Sequence, residues 1–184
     1  IAHANRISDP LNYRVVEAYW VGNLLLDKVT PLETYTALTD GQKLKRRLDK
    51  KSLQWLLPKI DKRAKLHHSF HVFNIFTRTG HHAVPHTVET MDQCRIGWGR
   101  VVSIMLDGVK SISLDSQRLV YKDKKLQFEP AKRTVINPID NLELKTDDWV
   151  SFHWGYVCEK LTVIQVKQLE RLTKHHLTLA NETL

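Results

Sequence analysis

Cys94 is the residue with the most distinctive chemistry in this chain. It opens the stretch 94–104, Cys-Arg-Ile-Gly-Trp-Gly-Arg-Val-Val-Ser-Ile. A thiolate is a soft ligand suited to low-valent iron, and it binds only once deprotonated. Arg95 and Arg100 follow closely in sequence and are expected to lower its pKa. A second candidate set is rich in histidine: His67, His68 and His71, then His81, His82 and His86. On an extended strand His67, Ser69 and His71 would share one face, and neutral imidazoles so placed suit zinc, nickel or iron. A third stretch, Trp-Val-Ser-Phe-His-Trp-Gly-Tyr-Val over 149–157, carries His153. Brought beside a thiol, that imidazole would be a second ligand, a base or a hydrogen-bond partner. No HExxH, CxxC, G-x-S-x-G or phosphate loop occurs, and the aspartates at 107, 115, 123, 147 and 148 read as turn residues. The chemistry points to binding, and the protein is not expected to be an enzyme.

The elements that must position these groups change character along the chain. Asp9-Pro10 and Thr30-Pro31 read as helix starts. Apolar residues fall near helical spacing over 13–29, interrupted by Gly22-Asn23. A third helix is expected through Leu53, Leu56 and Leu57, with Pro58 kinking or ending it. From residue 67 the aromatic and β-branched content suggests a strand over 67–76. Val101-Val102 reads as a strand and Asp107-Gly108 as a tight hairpin turn, with 109–114 the return strand. Two short strands are expected at 119–121 and 126–128 around a polar turn, and further extended pieces at 134–136 and 149–157, the last ending at Gly155. A final helix covers 161–179, with Val163, Val166, Leu169, Leu172 and His176 on or near one face. These readings divide the chain into a helical region, 1–66, and a small β-barrel with a C-terminal helix, 67–184.

Composition limits the setting. The chain has 184 residues, 42% hydrophobic and 26% charged, the profile of a globular protein. No apolar run is long enough to cross a bilayer, so membrane insertion is not expected. Residues 1–10 do not read as a signal peptide, and the chain opens without Met in what looks like mid-helix, as a piece of a longer protein would. Two cysteines, Cys94 and Cys158, are too few for a disulfide framework and fit a reducing, cytoplasmic compartment; Cys158 is read as core. The net charge of +8 implies an acidic partner. The run Lys43, Lys45, Arg46, Arg47, Lys50, Lys51 is either a solvated helical face or a dock for such a partner. Lys45, Arg46, Arg47, Arg95 and Arg100 are the candidate partner-binding residues.

Two stretches together carry a family resemblance. The segment from Cys94 through Gly99 and Arg100-Val101-Val102 resembles the first signature of the HypC/HupF family of [NiFe]-hydrogenase maturation chaperones. Residues 148–160, with His153 and Gly155, look like its second signature, a strand leading into a helix. In that family the cysteine lies at the chain start and proline stands where this chain has Trp98. Periodicity and the resemblance together give an α+β fold: the N-terminal helical region is read from the residues, and the resemblance implies that a small OB-like, HypC-like β-barrel with a C-terminal helix follows it. It implies Cys94 and His153 as metal ligands; His67, His68 and His71, read from the residues alone, are a weaker set. The cargo would be an iron fragment, Fe(CN)2CO, received from a HypD-type scaffold and passed to the hydrogenase large-subunit precursor. The whole chain also resembles an uncharacterised family associated with hydrogenase gene clusters, through its His-His-Ser-Phe-His-Val-Phe, Cys-Arg-Ile-Gly-Trp-Gly-Arg-Val and Trp-Val-Ser-Phe-His-Trp stretches. The rival readings are a basic module for RNA or single-stranded DNA and a histidine-rich metal-binding protein.

Overall fold

The computed structural model describes residues 1–76, 86–107 and 109–184. The chain forms two compact units: Ile1–His86 with Gln168–Leu184, and Thr87–Lys167. This grouping differs from a division after residue 66 because the segment that follows is helical and the end of the last helix belongs with the helical unit. Among the described residues no helix is long and apolar enough to cross a membrane.

The helical unit is built from short helices, several of them bounded by local signals. Asn12 caps Tyr13–Trp20, its side chain accepting the Arg14 N–H at 3.0 Å. Gly22 then adopts φ +96°, and a 3-10 turn, Leu24–Lys28, takes over. A Cβ at Gly22 would stand 2.3 Å from Leu172 Cδ1, so glycine permits both the turn and the close packing. Thr30 and Glu33 form a capping box on Pro31–Thr36. Asp49 caps Lys50–Leu56, and Pro58 opens the next helix, Pro58–Asp61. Leu38, Leu44, Leu56, Ile60, Phe70 and Leu179 belong to one buried cluster.

The segment expected as a strand over 67–76 is helical. An α-helical turn, His68–Phe70, runs into a π turn, His71–Ile75. Every residue from 67 to 75 is buried. A helix buried on all sides has no amphipathic period, and its aromatic and β-branched content then imitates a strand.

The second unit contains a closed five-stranded barrel: β1 (Gly97–Asp107), β2 (Val109–Lys122), β3 (Lys125–Ile136), β4 (Trp149–His153) and β5 (Tyr156–Leu161), ordered β1-β2-β3-β5-β4. Antiparallel ladders join β1 to β2, β2 to β3, β4 to β5 and β1 to β4. One parallel bridge, Ile136 with Tyr156, closes β3 onto β5. This is the OB-like barrel of an α+β protein, and the helix Val163–Asn181 follows it. Gly108 of the expected first turn lies outside the described residues. The short strands expected around the second turn are the ends of the long β2 and β3, which meet at Asp123 and Lys124, φ +53° and +58°. The expected single strand over 149–157 is a hairpin. Trp154 and Gly155, φ +50° and +79°, reverse the chain between β4 and β5. Val101, Ile112, Leu114, Val135, Val150, Phe152 and Val157 form the barrel core. Gly97 pairs with Phe152, whose ring occupies the space a Cβ would need, 2.3 Å away.

Candidate metal centre

Cys94 is the last residue of the helix Val88–Cys94, which Thr87 and Thr90 open with a reciprocal capping box. His153 is the last residue of β4. A register shift between Ser151 and Phe152 breaks the alternation of that strand, so Val150, Ser151 and Phe152 are all buried and His153 is half-buried. Such a bulge re-aims the side chains beyond it. The result is that the Cys94 Sγ and a His153 ring nitrogen lie within 4.8 Å of each other.

Several further contacts fasten the two chain ends together. The His153 ring hydrogen-bonds the Cys94 main chain. The Trp154 N–H donates to the Gln93 carbonyl at 3.0 Å, and the Trp154 side chain hydrogen-bonds the Cys94 thiol. Trp154 holds a left-handed backbone, which is costly for a bulky residue and is kept where the surroundings over-determine it. Because the imidazole donates one N–H to a carbonyl, its other nitrogen carries the lone pair, the form in which histidine binds a metal.

The arginines do not act on the thiol as expected. Burial pushes the Cys94 thiol up from its ordinary value, with the Trp154 contact acting in the opposite direction. Arg95 is buried, its Nε donating to Asp92 Oδ1 at 2.9 Å and its Nη2 to the Gln117 carbonyl at 2.6 Å. Its guanidinium lies 4.7 Å from the Phe128 ring centroid and 5.5 Å from that of Trp98. Asp92 also accepts from Arg133 and, at 3.0 Å, from the Leu119 N–H. Burial lowers the Arg95 pKa to about 10, against the pull of Asp92. Arg95 is thus a structural cation and presents no surface to a partner. Arg100 is exposed on β1 and pairs with Asp147 at 2.7 Å. Cys158, expected in the core, is exposed on β5.

His67, His68 and His71 lie in the helical unit, where two hydrogen-bond chains organise them. In the first, the Lys65 N–H donates to His176 Nε2 at 3.1 Å, so His176 carries its proton on Nδ1 and donates to Ser69 Oγ at 2.7 Å. Ser69 gives its hydroxyl proton to His67 Nδ1 at 2.8 Å, and its N–H points to the same atom at 3.2 Å. The His67 proton therefore sits on Nε2, toward the main-chain carbonyls of Val21 and Trp20. In the second chain, His71 Nε2–H donates to Gln42 Oε1 at 2.7 Å, and His71 Nδ1 accepts from the Tyr19 hydroxyl at 3.0 Å. His68 Nδ1 donates to the Tyr19 oxygen at 3.3 Å. Burial holds His67 down to about 3, His71 down to about 4, and His176 well below its ordinary range. All three are neutral imidazoles used as connectors. His86 bonds the Val72 carbonyl at 3.2 Å; His81 and His82 lie outside the described residues.

Lys45, Arg46 and Arg47 are exposed on the short helix Leu44–Arg47. Lys45 lies 3.7 Å from Asp40 and over the Tyr35 ring. Residues with a part in these arrangements that sequence reasoning did not single out are Asp92, Gln42, Tyr19 and Ser69 as a relay. No spacing marks them, since Gln42 and Tyr19 meet His71, Ser69 meets His176, and Asp92 meets Arg133 and Leu119 across long stretches of chain.

Fold and site together define an α+β protein whose small closed barrel carries a cysteine–histidine pair fit to ligate a metal. The chain belongs to a family of unknown function (DUF6390), which it matches over residues 1–184. No curated protein matches the chain, and no solved structure does.

Proposed function

We propose that this protein is an accessory carrier in [NiFe]-hydrogenase maturation that holds an Fe(CN)2CO unit as cargo through the Cys94 thiolate, with His153 beside it. It receives the fragment from a HypD-type scaffold and passes it to the large-subunit precursor, acting as a chaperone in the cytoplasm rather than as a catalyst. The observation that carries this reading is the meeting of the thiol and the imidazole at the ends of a helix and a strand far apart in sequence. Those residues are the ones that the HypC-type resemblance singles out. A half-buried thiol and imidazole suit transfer better than storage, because structural metal sites are closed by four protein ligands. A thiol kept protonated by burial gains its charge only when the cargo arrives.

The test is infrared spectroscopy on protein purified without oxygen from cells expressing the hydrogenase maturation genes. Cyanide and carbonyl stretching bands are expected in the wild type and lost in Cys94→Ala, with the circular dichroism of the two proteins alike. Absence of bands in the wild type with the partners present would overturn the carrier role. A second reading, binding of single-stranded nucleic acid, is favoured by Trp154 and Tyr156, 42% and 50% exposed on the β4–β5 hairpin. Affinity that falls steeply with salt would mark it.

A further inference from the structure

The helical unit contains a cavity of about 460 Å³ that has no part in the carrier reading. Its polar lining is Lys43, Arg47, Gln42, His71 and Tyr19, and its apolar wall includes Leu44, Ile75 and Phe76. We infer that this cavity binds a small organic anion, a phosphate or carboxylate on an aromatic or aliphatic body, with Lys43 and Arg47 neutralising the charge.

Four independent observations converge there. The first is backbone. Two five-residue π turns, Ala37–Gly41 and His71–Ile75, both contribute to the lining. Residues in π geometry are well under 1% of globular structure and concentrate at functional sites. The second is strain. Lys43 holds φ +55°, a left-handed conformation that costs about 1–2 kcal/mol for a residue with a Cβ. The third is charge. Lys45 has Asp40 beside it, whereas among the described residues neither Lys43 nor Arg47 makes an ion pair. Among the described residues no carboxylate lines the cavity. The fourth is preorganisation. Gln42 is held by His71 through its Oε1, so the amide's N–H donors are what it offers elsewhere. His71 is in turn fixed by Tyr19 and Tyr19 by His68. Two cations, a fixed amide donor and an apolar wall match an anion with an organic body, and the volume is that of a ligand site for a small molecule.

The experiment titrates the isotope-labelled protein with phenyl phosphate, benzoate and the neutral benzyl alcohol, followed by two-dimensional NMR. At least one anion is expected to bind saturably, shifting the Gln42 side-chain amide and the main-chain amides of 43–47, and the tighter of the two identifies the head group. Benzyl alcohol is expected to leave those signals in place. Arg47→Gln and Lys43→Asn are each expected to weaken anion binding by about tenfold, asparagine being a residue that tolerates the left-handed backbone. No saturable binding of either anion, equal binding of the alcohol, or affinity unchanged in both variants would overturn the inference.

Discussion

His67, His71 and His176 are buried as neutral imidazoles, and acid is the perturbation that tests this. An unfolded histidine takes up a proton near 6.5, but folded His67 resists until about 3 and folded His71 until about 4. The unfolded chain therefore binds more protons throughout that interval. Stability is full above the unfolded value and is lost as pH falls below it. Each histidine loses about 1.4 kcal/mol per pH unit, so about 2.7 kcal/mol by about pH 4.5, and the two together about 5 kcal/mol. His176 adds to the loss in the same direction. A domain with a typical margin of about 5–15 kcal/mol would be close to unfolding. Carboxylates held below their ordinary values, such as Asp148, lose their contribution only at lower pH, so the window between about 6.5 and 4.5 isolates the histidines. The assay is urea unfolding followed by far-ultraviolet circular dichroism at steps from about pH 7 to about pH 4.5. A midpoint and slope unchanged across that range would refute the reasoning, because the imidazoles would then be protonated at no cost.

Two substitutions probe the barrel. Asp92→Asn removes the only carboxylate that the described residues place on buried Arg95 and is expected to cost about 3–5 kcal/mol, seen as a lowered urea midpoint; a loss under about 1 kcal/mol would show that Arg95 finds another partner. Gly97→Ala puts a Cβ against the Phe152 ring and is expected to cost about 1–3 kcal/mol. Combining it with Phe152→Leu should recover part of that loss, and strictly additive effects would rule out the proposed clash.

Much of the barrel was legible because its hairpins carry local signals. The β-branched start of β1 and the polar turn between β2 and β3 are written in adjacent residues. The last hairpin was missed because Trp154 at a left-handed turn position has no propensity to announce it. The strand expected over 67–76 failed for the opposite reason: its residues are so uniformly buried that neither period is present. At the candidate metal centre, the expectation that Cys94 and His153 work together rested on a resemblance, not on spacing; the structure places the two side chains close together. The effect expected of Arg95 on the thiol rested on adjacency in the chain. In the fold that guanidinium is committed to Asp92, Gln117 and two aromatic rings. His67 and His71 are tied into hydrogen-bond chains whose members Tyr19, Gln42 and His176 come from distant segments.

The barrel is fastened unevenly. The β2–β3 ladder runs from Ser111–Ile136 to Lys122–Lys125, whereas among the described residues β3 meets β5 through the single bridge Ile136–Tyr156. A ring with one short splice has a fixed order of failure, and the splice parts first. Tyr156 is separated from His153 only by the Trp154-Gly155 turn. Loosening of the splice therefore reaches the imidazole first, leaving the long β2–β3 ladder as the standing part of the ring.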